Sequence, residues 1–156
     1  MIAIALIGVL AGLGLTAYNG QADDKELRTA AVKVEALASR ARTLAFLKQQ
    51  PHRLRLLSPR EVVIEKPSEN SDTKGFVSIE KYTANVDIDI RRWGANDSAW
   101  LRPTASTSTE PITWDFSPTG LCEPISIRLS ERQNWIVLHM DPLSARVQEE
   151  ESYIAR

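Results

Sequence analysis

Polar and apolar positions divide the chain into three stretches. Residues 1–18 (MIAIALIGVLAGLGLTAY) carry no charged side chain, and the first acids are Asp23 and Asp24. From Asp24 to Gln49 the apolar positions are Leu27, Ala30, Ala31, Val34, Leu37, Ala38, Ala41, Leu44 and Ala45. Steps of three and four place them on one stripe of a helix. Lys25, Arg28, Lys33, Glu35, Arg40, Arg42 and Lys48 occupy the other side. Asp23 and Asp24 lie where a helix N-terminus favours negative charge, and Lys48 lies near the C-terminal end. Pro51 closes the helix by disfavouring helical geometry in the residue before it. The alanine-rich stripe is shallow, so the helix can lie close against a sheet. Asn19 and Gly20 are the weak points at which it could bend away from the apolar lead.

Beyond Pro51 the period changes to two. Residues 53–57 (RLRLL), 61–65 (EVVIE), 76–82, 86–90, 113–116, 125–130 and 135–140 (WIVLHM) read as short strands. Val86, Ile88 and Ile90 alternate with Asp87, Asp89 and Arg91, the pattern of a half-buried strand. Residues 67–75 and 93–111 read as polar loops with at most a strand stub at Trp100 and Leu101. SPTG at 117–120 is a turn, and ERQN at 131–134 is a hairpin connection. Residues 141–147 read as a turn and a last short extended piece, followed by the acidic run Glu149, Glu150 and Glu151. Strands without intervening helices exclude an alternating βαβ chain. The expectation is an α+β protein with one long N-terminal helix on an antiparallel sheet. Residues 1–22 form an apolar segment, 23–50 the packing helix and 51–156 the body. The packing contacts fall to Leu27, Ala31, Val34, Leu37, Ala38, Ala41, Leu44 and Ala45.

Size and charge narrow the function classes. The body of roughly 100 residues suffices for one core. A formal net charge of −1 supplies no global basic field for nucleic acid. The single cysteine excludes an intramolecular disulfide, and one Cys with two distant His builds no metal cluster. No cofactor motif is present.

The apolar lead has three readings. As a helix it spans about 27 Å, close to the hydrocarbon thickness of a bilayer, which favours a membrane anchor. Its lipid-facing or core-facing side chains would be Ile2, Ile4, Leu6, Ile7, Val9, Leu10, Leu13 and Leu15. Gly8 and Gly12 have the small-xxx-small spacing that lets membrane helices approach. A cleaved secretory signal would suit Gly20 and Ala22 at its cleavage point, but no Lys or Arg precedes Lys25. A buried core helix is disfavoured by a run without polar groups until Thr16.

Candidate chemistry is sparse. His139 lies two residues from Asp141, a neighbourhood that could suit a base and its orienter. No activated Ser or Cys pattern accompanies them, so a strand histidine is the expectation. Cys122 reads as a buried small hydrophobe rather than a nucleophile. Asp87 and Asp89 share a strand face and could contribute to a calcium site, with solvated strand charges as the default. Arg40, Arg42, Arg53, Arg55 and Arg60, with Lys48 and His52, form a dense basic stretch capable of phosphate contact, and Trp93 and Trp100 could add base stacking.

The order of apolar helix, amphipathic continuation and strand-rich body resembles type IV pilins and type II secretion pseudopilins. MIAIALIGVLAGLGL resembles the apolar half of the pilin helix. ELRTAAVKVEALASRARTLAFLKQQPHRLRL and ITWDFSPTGLCEPISIRLSERQNWIVLHMDPLSARV resemble minor pseudopilins of the H type. The resemblance implies a non-enzymatic filament subunit without cofactor. Its partners would be other pseudopilins or pilins, an inner-membrane assembly platform, and lipid before assembly. It would sit as a single-pass protein of the bacterial inner membrane with its body in the periplasm. Some minor pilins bind DNA during uptake, so a DNA receptor is the alternative for the basic stretch; a secreted β-rich protein with a cleaved signal is another. The family's basic leader and its Phe–Thr–Leu–x–Glu stretch, where cleavage and methylation occur, have no counterpart here. The expectation is therefore a start upstream of Met1.

Overall fold

The computed structural model describes residues 2–68, 75–93, 99–103 and 112–155, with side chains from Ala22 onward. One uninterrupted helix, α1 (Ile2–Lys48), runs through the apolar lead and the amphipathic stretch without a break at Asn19 or Gly20. It ends on a left-handed Gln49 (φ 52°). There the Gln49 amide donates to the Phe46 carbonyl at 3.3 Å and the Gln50 amide to the Ala45 carbonyl at 3.2 Å. This is a Schellman closure with glutamine where glycine is usual, followed by Pro51.

Eight strands follow: β1 (His52–Ser58), β2 (Glu61–Pro67), β3 (Phe76–Thr83), β4 (Asp87–Arg92), β5 (Ile112–Phe116), β6 (Ile125–Glu131), β7 (Asn134–Met140) and β8 (Val147–Tyr153). The antiparallel body expected from the sequence is built as two four-stranded sheets, ordered β3-β2-β1-β5 and β4-β6-β7-β8. The chain passes between them at the corner after β3. There the Ala84 amide donates to the Arg60 carbonyl (2.7 Å) and the Ile88 amide to the Pro59 carbonyl (2.6 Å). Helix α1 touches β1, β5, β6 and β7, so it lies across the seam and closes one core from both inner faces.

That core contains Leu27, Ala30, Val34, Ala38, Ala41 and Ala45 from the helix. Leu54, Ile64, Trp114 and Phe116 come from the first sheet, and Ile88, Ile90, Ile127, Leu129, Ile136 and Leu138 from the second. Ala31 and Leu37 are also buried, whereas Leu44, at the edge of the stripe, is half-buried. Alanines at 38, 41 and 45 are fully covered, consistent with the close approach that a small side chain allows. Polar contacts also fix the helix against the body. Asp23 accepts from Asn134 Nδ2 (3.2 Å) and faces Arg132 (3.4 Å). Glu35 accepts from the Val147 amide at 3.2 Å. Arg42 donates through Nε to the Gly120 carbonyl at 2.8 Å.

The eighth strand corrects the sequence reading of a terminal turn and acidic tail. Val147–Tyr153 pairs with β7 along its length, so the glutamates lie within a strand. Only Val147 packs on the core there, so the strand shows no apolar alternation; its acids instead guard a sheet edge. The pairings of β3 and β8 also carry register irregularities, at Ile64/Glu65 and His139/Met140, which further discourage strand addition.

Candidate functional site

The helix stripe and the charged groups of the body occupy distinct places. Among the described residues no helix is long and apolar enough to cross a membrane. The anchor residues Ile2, Ile4, Leu6, Ile7, Val9, Leu10, Leu13 and Leu15, and the Gly8/Gly12 spacing, have side chains outside the described residues. The 67–75 and 93–111 loops fall largely outside them as well.

The basic stretch is dispersed by folding. Arg40 pairs with Glu80 at 3.0 Å, and Arg42 is engaged with Gly120. Arg53 and Arg55 share the carboxylate of buried Glu65 at 2.6 and 3.2 Å. Arg60 bridges Asp87 (2.7 Å) and Glu131 (3.2 Å). His52 is buried, with Nδ1 3.0 Å from the Gln50 carbonyl. All five arginines therefore have acceptors within the fold, and they point to four different places rather than to one phosphate-binding face.

His139 and Asp141 do not form a pair. His139 Nδ1 lies 2.9 Å from Ser126 Oγ and Nε2 lies 3.1 Å from Glu151 Oε1. Trp93 Nε1 donates to the same Ser126 oxygen at 2.8 Å, and the direction of the Ser126–His139 hydrogen bond follows the histidine tautomer. Ser, His and Glu are thereby linked, with Ser126 fully buried. Asp141 instead organises its own turn, accepting from the Leu143 and Ser144 amides at 3.2 Å each. Cys122 is half-buried and packs against the core. Burial, then the neighbouring Asp141 charge, push its thiol up to about 11. The thiol therefore stays protonated at neutral pH and donates to the Pro142 carbonyl at 3.4 Å.

Asp89 overturns the expectation of solvated strand charges. It is fully buried and held by two guanidinium groups. Arg102 contributes Nε at 2.6 Å and Nη2 at 3.0 Å; Arg128 contributes Nη2 at 2.7 Å and Nε at 3.1 Å. Burial by itself would raise the Asp89 carboxyl, but these hydrogen bonds outweigh it and hold the group below its ordinary value. Among the described residues no three His, Cys, Asp or Glu side chains are placed to hold a metal ion.

The same cluster builds a surface that sequence reasoning missed. Leu101 bridges Ile90 through both backbone hydrogen bonds (2.7 and 3.0 Å), extending the β4 edge. Trp100 thereby lies under Arg91 (4.6 Å) and Arg128 (4.8 Å). Trp135 stacks on Tyr153 at 6.3 Å, and Trp93 meets the edge of His139 at 6.0 Å. Arg91, Trp100, Arg128, Trp135, Val137 and Glu151 line a recess of about 370 Å3. Three of the four tryptophans therefore lie on the side of the second sheet away from α1, while Trp114 alone fills the core. Alternation in β4, β6 and β7 announced an outward face. What lies on it depends on Trp100 and Arg102 returning from a loop, for which no local pattern exists.

A long N-terminal helix laid across two antiparallel sheets places the chain in the pilin-like class of folds. Two solved structures of the minor pseudopilin EpsH from the type II secretion system of Vibrio cholerae share it. One matches with a TM-score of 0.58 at 12% identity, covering 85% of this chain and 96% of the solved chain. The other matches with a TM-score of 0.55 at 12% identity, covering 73% and 90% respectively. No protein-family model matches the sequence, and no curated protein matches it.

Proposed function

We propose that the chain is a structural subunit of a pseudopilus or related pilin-type filament, of the minor H type. The observation that carries this reading is the likeness of fold to the two solved EpsH chains, which extends over 90% and 96% of those chains. The uncharged lead supports a two-stage role. It holds the subunit in the inner membrane with the body in the periplasm, then packs among neighbouring subunits once an assembly platform extracts it. One apolar surface serves lipid first and protein afterwards. The arrangement offers binding rather than bond-making, since Asp23, His52, Glu65, Asp89, Ser126 and Asn134, the buried polar groups described, are committed to holding the fold.

The test is to express the tagged full chain with the assembly components of its own host. Membranes are floated and surface filaments are sheared. The chain is expected in the membrane fraction before assembly and in the sheared fraction afterwards, alongside other pilin-like subunits. Recovery as a soluble protein missing its first two dozen residues would overturn the reading in favour of a cleaved export signal.

A further inference from the structure

The outward face of the second sheet carries its own complement. Cross-strand pairing aligns Arg91 with Ser126, Ser126 with His139, and His139 with Glu149. This row runs from the β4 edge to the β8 edge, about 14 Å at the usual strand spacing. Among the described residues Arg91 has no carboxylate partner; its guanidinium only rests on Trp100. Glu149, exposed at the other end, pairs with no cation among them. One row along the charges are already satisfied: Arg102 is held by Asp89 and Asp87, and Glu151 lies 3.1 Å from His139 Nε2. Between the two edges lie Trp100 and Trp135, the residue types that anchor protein interfaces when held rigid. The four hydrogen bonds at Asp89 provide that rigidity.

We propose that this face binds a second copy of the same chain. A two-fold axis parallel to the strands, running between two facing sheets, turns one copy's β4 over the other's β8 and keeps every row aligned. Arg91 then meets the partner's Glu149, twice by symmetry. The tryptophans fill the space between sheets packed about 10 Å apart. Four strands of about seven residues offer roughly 440 Å2 per copy, the low end for specific contacts, so the dimer is transient and salt-sensitive. Glu150 does not take part, because it faces the helix side and lies 3.6 Å from Arg28.

The full chain in mild detergent tests this, on a Cys122→Ser background. Arg91→Cys and Glu149→Cys single variants are mixed and treated with a short bifunctional thiol cross-linker, because sheets facing each other about 10 Å apart hold the two Cα atoms beyond disulfide reach. The mixed cross-link is expected to form on the order of tenfold faster than either like pair, since only the mixed pair brings the two positions together. Equal rates for all pairs overturn the proposal. Sedimentation provides the second measurement. Arg91→Glu should weaken dimerisation at least about tenfold, and Arg91→Glu with Glu149→Arg should restore it. Self-association unchanged by Arg91→Glu also overturns the proposal, because association through the apolar helices would ignore that charge. Near-ultraviolet circular dichroism checks that each variant is folded. Filament incorporation is read separately, so a monomeric face leaves the filament reading untouched.

Discussion

Replacing Asp89 by asparagine tests the energetics of the second sheet directly. The substitution keeps the volume and removes the charge. The asparagine would retain one carbonyl oxygen for Arg102 Nε, but its amide group would face donors of Arg102 and Arg128 that now lack an acceptor. Breaking a buried ion pair typically costs about 3–5 kcal/mol. Here the arginine side chains are 40% and 33% exposed, so water recovers part of the loss. The expected cost is therefore about 2–3 kcal/mol. In urea this lowers the unfolding midpoint by about 1–2 M, followed by tryptophan fluorescence of the full chain in detergent. The pH dependence gives a second signature. The folded carboxyl titrates below the unfolded one, so its contribution is fully present above the unfolded value near 3.9. It is lost as pH falls through the lower folded value. The gap between wild type and Asp89→Asn should thus be constant above about pH 5 and close in acid. A loss under about 1 kcal/mol, or a gap that does not change with pH, would refute a desolvated carboxylate clamped by two arginines.

Other outcomes follow from the same geometry. Leu27→Ala removes a fully buried side chain and should cost about 2–5 kcal/mol in the same unfolding measurement, whereas Val32→Ala on the exposed side should stay within about 0.5 kcal/mol. Arg42→Ala deletes the charged hydrogen bond to Gly120 and should cost about 1.5–3 kcal/mol; no change would mean that the helix is seated by apolar contacts alone. Gly120→Ala should destabilise by about 1 kcal/mol through its left-handed φ of 81°, because the added Cβ meets Arg42 only at ordinary contact distance, 3.5 Å. Cys122 should react sluggishly with iodoacetamide at pH 7 and faster as pH approaches 11; complete labelling within minutes at neutral pH would contradict the burial described.

Much of this architecture was legible because its determinants are local. The stripe from Leu27 to Ala45 repeats at helical spacing, and its burial follows the alternation of large and small apolar residues with charge. The strands at 53–57, 61–65, 76–82 and 125–140 announce themselves by period two or by unbroken β-branched runs. β8 did not, because a strand at a sheet edge with one core contact has no apolar face to display. The arginines of the basic stretch looked like one patch only because they are neighbours in sequence. Strand alternation and the β1–β2 hairpin sent Arg53 and Arg55 to Glu65, and Arg60 to Asp87 and Glu131.

The sequence by itself determined the elements and their order: an uncharged helical lead, a helix with one shallow apolar side, and an antiparallel body. Periodicity suffices for that, since each element's own side chains set which face is buried. Tertiary structure alone decided that the strands form two sheets meeting under the helix. It also decided that Asp89 is buried beneath Arg102 and Arg128, and that Trp93, Trp100 and Trp135 collect on one outward face. Those outcomes rest on partners 13 to 39 residues apart, for which desolvation and hydrogen-bond geometry, rather than local spacing, make the choice.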